Sequence, residues 1–153
     1  MAASNYRIRP LAAGDIEAAL AIEQKIQTDP WSRESFLSEL SYEPPRFFIL
    51  GIHDSSGAER VAGLGGCRSV SGESYLLNLG VDPLCQRMGL GGALLSFLIQ
   101  LALKQGSAAM HLDVRADNEA AIRFYKSFGF QETALRPKMY RDGSDGYAMT
   151  KIL

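Results

Sequence analysis

Apolar and polar positions alternate over residues 6–10, which predicts a short strand. After Gly14-Asp15 the spacing turns helical, with Ile16, Ala19, Leu20 and Ile22 recurring on one face, so a helix is expected behind that strand. Ser32, following Asp29-Pro30-Trp31, is placed to cap a second helix running to Leu40, because a serine hydroxyl can accept from the unpaired amides of a first helical turn; Pro44-Pro45 ends it. Phe47-Phe48-Ile49-Leu50-Gly51-Ile52 reads as a strand, Asp54-Ser55-Ser56-Gly57 as a turn and residues 60–70 as the returning strand. A second turn at Ser71-Gly72-Glu73 leads into a strand over 74–81, so the middle of the chain is an antiparallel meander.

The pattern changes at Asp82-Pro83. A glycine-bearing loop precedes a helix from about residue 91 to 105, whose Leu94, Leu95, Leu98, Ile99 and Leu101 form a broad apolar face. Residues 110–114 read as a buried strand and 118–128 as the last helix, with Ala121, Ile122 and Tyr125 on one side and Gly129 suited to a left-handed stop. Two strands, 130–138 and 146–153, close the chain around the polar turn Arg141-Asp142-Gly143-Ser144-Asp145. No repeat or linker interrupts the 153 residues, which at this length predict one domain over 1–153.

Composition narrows the class. Sixteen basic against seventeen acidic residues give a net charge of -1, which provides no global field for nucleic acid or an anionic membrane surface. The N-terminal residues lack an apolar run of signal-peptide length, and the longest apolar region, 90–103, is too short and too interrupted to span a bilayer, so a cytoplasmic location without membrane or nucleic-acid partners is expected. Cys67 and Cys85 have no metal-type spacing and no histidine beside them in sequence, hence no metal site is expected. His53 and His111 show no partner in the sequence, which favours structural roles for both.

The chemistry concentrates where Leu77-Asn78-Leu79-Gly80-Val81-Asp82-Pro83 runs into Gln86-Arg87-Met88-Gly89-Leu90-Gly91-Gly92. A strand handing over to a helix through glycines binds anions well, because the first-turn amides and the helix dipole face the ligand and no Cβ obstructs the approach. GxxxxGK[ST] is missing, and the loop follows a meander rather than the first strand of a βαβ unit, which disfavours the two commonest nucleotide loops. The plain alternative is a glycine-rich turn that only connects strand to helix.

Gln86-x-x-Gly89-x-Gly91 after this strand resembles the acetyl-CoA motif of the GNAT N-acetyltransferase superfamily. The run from Leu112-Asp113-Val114-Arg115-Ala116-Asp117-Asn118 to Tyr125-Lys126-Ser127-Phe128-Gly129-Phe130 resembles its second signature, particularly in the bacterial ribosomal-protein-alanine (RimI-like) branch, and Trp31-Ser32 with its helix resembles that branch too. The resemblance implies an α/β (α+β) GNAT fold: a mixed sheet of about six to seven strands with about four helices, and parallel strands that splay at the cofactor site. It implies acetyl-CoA as cosubstrate, with main-chain groups of Leu79, Gly80 and Val81 meeting the pantetheine arm, Arg87, Met88, Gly89, Leu90, Gly91 and Gly92 holding the pyrophosphate, and Asn118 touching the arm. By the same resemblance Tyr125 protonates the departing thiolate and Asp113 stands where the branch has a glutamate as general base.

The residues themselves leave other readings open: Asp113 as a strand-end carboxylate paired with Arg115 or solvated, and Tyr125 as a core residue. Arg136-Pro137-Lys138-Met139-Tyr140 departs from the branch's Arg-Asn-Tyr-Tyr stretch, and Tyr140, Tyr147 and Trp31 are candidates for an acceptor groove. The acceptor implied is a protein N-terminus, that of a small ribosomal protein; a small amine is the second reading and a non-catalytic acyl-CoA-binding module the third. An α-amine with pKa about 7.7–8.0 is partly neutral at pH 7 whereas a lysine at about 10.4 is not, which favours the N-terminus where the base is weak.

Overall fold

The computed structural model describes residues 5–153; Met1 to Ser4, on which the signal-peptide expectation partly rests, lie outside them. The elements are β1 (Tyr6–Pro10), α1 (Ile16–Ile26), α2 (Arg33–Glu39), β2 (Phe47–His53), β3 (Glu59–Val70), β4 (Glu73–Val81), α3 (Leu90–Lys104), β5 (Ala109–Arg115), α4 (Glu119–Ser127), β6 (Gln131–Arg136) and β7 (Gly146–Ile152). Single 3₁₀ turns at Ala13–Asp15 and Pro83–Cys85 introduce α1 and the glycine-rich loop. This is the expected α/β order, and the seven strands form one mixed sheet ordered β1-β2-β3-β4-β5-β7-β6.

Two compact units compose the chain. The first takes the residues up to Cys67 together with Asn78–Leu98. In it β1 pairs antiparallel with β2, and β2 with β3 through a register shift at Leu50/Gly51. One apolar cluster gathers Leu11, Ile16, Ala19, Ile22, Phe36, Phe47, Ile49 and Leu64; α1 and α2 supply four of these eight, which is why their apolar stripes are buried. Ser32 caps α2 as expected, its Oγ accepting from Ser35 N–H at 3.1 Å. Trp31 packs on Phe36 and Phe47, with ring centroids 5.3 and 5.0 Å away, so it serves this core. A second cluster, Leu50, Ala62, Cys85, Leu90 and Leu94, draws in Leu79, Val81 and Met88.

The second unit comprises Arg68–Leu77 and Ile99–Leu153. Ser71 and Gly72, at φ 51° and 81°, make the tight reversal into β4. β4 and β5 pair in parallel over only three residues, Glu73↔Ala109 to Tyr75↔His111, while β5 runs antiparallel to β7 along its whole length and β7 to β6. Met110, Leu112 and Val114 point into the core; His111, Asp113 and Arg115 alternate to the other face. Asn118 caps α4, its Oδ1 accepting from Ala121 N–H at 3.1 Å. Gly129, at φ 93°, supplies the left-handed stop.

Candidate functional site

In the first unit, the strand-to-helix junction is shaped by backbone. Arg87 at φ 65° and Gly89 at φ 76° are both left-handed, a conformation that costs a residue with a Cβ roughly 1 kcal/mol or more. Met88 turns its side chain into the cluster around Leu90 and Leu94, pinning the loop from below. Ala93 N–H is the first amide of α3 to reach a helical acceptor, Gly89 O at 3.1 Å. Among the described residues the amides of Leu90, Gly91 and Gly92 meet no protein acceptor, so three donors at the positive end of a 15-residue helix are left for a ligand.

β4 leads into this loop with its last residues tied down. Leu79 N–H donates to Asn78 Oδ1 at 2.9 Å and Val81 O accepts from Gln86 Nε2 at 3.5 Å, so both ends of this stretch are held within the protein. A Cβ at Gly80 would run into the Cδ1 methyl of Ile26, which would have to turn aside. Asn78 Nδ2 donates to Glu23 Oε1 at 2.8 Å, and Glu23 Oε2 accepts from Trp31 N–H at 2.8 Å. Glu23 is fully buried, and burial raises its pKa above the usual carboxylate range while the two hydrogen bonds partly oppose it. This network was invisible in the sequence, where Glu23 looked like one more polar residue on α1.

In the second unit, beyond the pairing of Tyr75 with His111, a cavity of about 590 Å³ opens, lined among others by Leu77, Leu112, Asp113, Arg136, Ala148 and Thr150. Asp113 stands on its wall, half-exposed, with Oδ1 accepting from Arg136 Nε at 2.8 Å. Its partner is therefore Arg136, not Arg115, which instead reaches Asp142 at 2.6 Å and Asp117 at 3.3 Å and lies 4.8 Å over the Tyr140 ring. His111 lines the same cavity and is held on every side: Nδ1 meets Thr150 Oγ1 at 2.8 Å, Nε2 meets Glu73 Oε1 at 2.9 Å, and the ring stacks on Tyr75 at 5.1 Å. All three partners are remote in sequence, so no local signal could have found them.

Tyr125 lies on the buried face of α4 against Phe130, 5.8 Å between centroids. Burial pushes its phenol well above the usual tyrosine range, with the Tyr140 hydroxyl adding to the effect, so it holds its proton at every physiological pH. Asn118 spends its oxygen on the α4 cap and keeps its amide nitrogen for other partners. Cys67 and Cys85 are both buried, and burial raises the Cys67 thiol to about 11, which leaves it inert as a nucleophile. Among the described residues no group of three or more metal-type side chains converges, and no helix is long and apolar enough to cross a membrane.

A family model described as "Acetyltransferase (GNAT) family" matches residues 16–130. The chain is 38% identical over 133 residues to the [ribosomal protein bS18]-alanine N-acetyltransferase of Escherichia coli K12, covering 87% of this chain and 86% of that protein. It is 32% identical over 148 residues to the N-alpha-acetyltransferase RimI of Mycobacterium tuberculosis, covering 94% and 90%. Among solved structures, the ribosomal-protein-S18-alanine N-acetyltransferase from Escherichia coli superposes with a TM-score of 0.81 at 37% identity, over 96% of this chain and 93% of that one. Ard1 from Thermoplasma volcanium superposes with a TM-score of 0.87 at 33% identity, over 97% of each. Unpaired amides after a glycine-rich loop, parallel strands that part after three pairs, and sequence identity along nearly the whole length agree, and the chain belongs to the GNAT acetyltransferase family.

Proposed function

We propose that this chain transfers the acetyl group of acetyl-CoA directly to the α-amine of a protein N-terminus, alanine in the first position, with a small ribosomal protein as its acceptor. The observation that carries the reading is the set of unpaired amides at Leu90, Gly91 and Gly92, a site for the cofactor's diphosphate built from backbone alone. Arg87, Met88 and Gly89 complete that cradle as the loop whose left-handed residues turn it toward the helix. Leu79, Gly80 and Val81 offer peptide groups to the pantetheine arm, the Leu79 amide only if it leaves Asn78. Asn118 has its Nδ2 for the same arm. The names of the relatives from Escherichia coli and Mycobacterium tuberculosis support the acceptor class.

The chemistry then divides between two side chains. The neutral amine attacks the thioester carbonyl, the C–N bond forms, and the C–S bond breaks as the tetrahedral intermediate collapses. Asp113 takes the proton that the amine sheds, directly or through a water, its carboxylate being one methylene shorter than a glutamate. Tyr125, whose burial keeps it protonated, delivers a proton to the departing thiolate. No acyl-enzyme forms, in keeping with two buried cysteines. Turnover of acetyl-CoA is tested against a peptide with an N-terminal alanine, the same peptide blocked at its N-terminus but carrying an internal lysine, and a panel of small amines. Acetylation confined to the free α-amine is expected; no turnover on any α-amino peptide removes the reading.

A further inference from the structure

The Asp113–Arg136 pair holds more than an accident of the surface. β5 and β6 are not neighbours: β7 lies between them, with Asp113 opposite Ala148 on one side and Arg136 opposite Gly146 on the other. Two strand spacings separate the residues, about 10 Å, and the guanidinium crosses that distance over the small residues of β7 to end 2.8 Å from Asp113. Every charged or titratable group on the cavity wall can be placed. Arg68 of β3 lies 5.0 Å over the Tyr75 ring of β4, Glu73 of β4 is taken by His111 of β5, and β7 contributes only Ala148, Met149 and Thr150. Among the described residues the cation that pairs with Asp113 is Arg136.

An acyl acceptor reacts as a neutral amine, yet a lone carboxylate binds the ammonium form best and raises the pKa of the amine it holds, by roughly 1–3 units for an opposite charge within about 4–6 Å. A base built from Asp113 alone would therefore trap its substrate in the unreactive state. We propose that Arg136 is a positioning residue that offsets the charge of Asp113, so that the acceptor amine enters the cavity without being held as its ammonium. The inference rests on the transferase reading above and goes beyond it, since it assigns the acceptor's protonation state to a residue on a different strand.

The test compares wild type, Arg136→Gln and Arg136→Lys, with acetyl-CoA and an N-terminal alanine peptide as substrates, measuring kcat and KM for the peptide from pH 6 to 10. The rising limb of kcat reports the amine in the complex. In Arg136→Gln it is expected to move up by about one pH unit, with KM at pH 7 falling several-fold because the ammonium now binds better. Arg136→Lys, which keeps the charge, is expected to leave the limb near the wild-type position. An active Arg136→Gln enzyme whose limb and KM match wild type overturns this inference alone, as does Arg136→Lys shifting as far as Arg136→Gln. A wild-type chain that acetylates no α-amine removes the transferase reading and this inference together.

Discussion

At the residue scale, the side chains with proposed chemical roles differ in how well their surroundings suit them. Tyr125 is an acid by burial: its raised pKa means that kcat should show no loss from its ionisation up to pH 10. Tyr125→Phe should lower kcat by about 10²-fold while KM for acetyl-CoA stays within a few-fold, a split that steady-state kinetics reads directly. Asp113 depends instead on Arg136, which no spacing rule could have supplied because the two sit 23 residues apart on strands that do not touch. Local sequence placed Asp113, Asn118 and Tyr125 on the right elements; the ion pair that qualifies Asp113 is a product of strand order.

At the scale of elements, the legible features were those with period or punctuation. Every strand and helix expected from apolar spacing is present within one to two residues at most ends, because Ser32, Gly129 and the Ser71-Gly72 reversal each use chemistry confined to a few adjacent positions. Glu23 escaped notice because its reason lies in a peptide eight residues on and a strand 55 residues away. Glutamine cannot replace it cleanly: both Trp31 N–H and Asn78 Nδ2 need acceptors there, and Asn78 cannot flip without losing Leu79 N–H. Glu23→Gln should therefore cost about 1–3 kcal/mol, read as a lower urea midpoint. Because the folded state raises the pKa of Glu23, the folded chain binds that proton more tightly than the unfolded one. Its stabilising contribution is fullest below the ordinary glutamate range and is lost as pH rises through the folded value, so the gap between wild type and Glu23→Gln should narrow from pH 4 to pH 8. In the loop before α3, Gly89→Val places a β-branched residue at φ 76°; isothermal titration should find acetyl-CoA binding at least tenfold weaker.

At the scale of the whole molecule, a net charge of -1 leaves recognition to local groups, and the main-chain donors at the start of α3 are one such group. Acetyl-CoA binding only the folded chain should raise the melting temperature in proportion to the logarithm of its concentration, with about 2.7 kcal/mol of added stability at one hundred times Kd. Desulfo-CoA, which keeps the diphosphate, should reproduce most of that rise, and a thermal-shift titration distinguishes the two from free phosphate, which should not. The seat of α1 on β4 has a separate consequence. The methyl tip of Ile26 occupies the volume a Cβ at position 80 would need, which couples the two positions. Alanine at 80 would oblige the Ile26 methyl to swing aside, so an organism's drift at either position is first felt at the other.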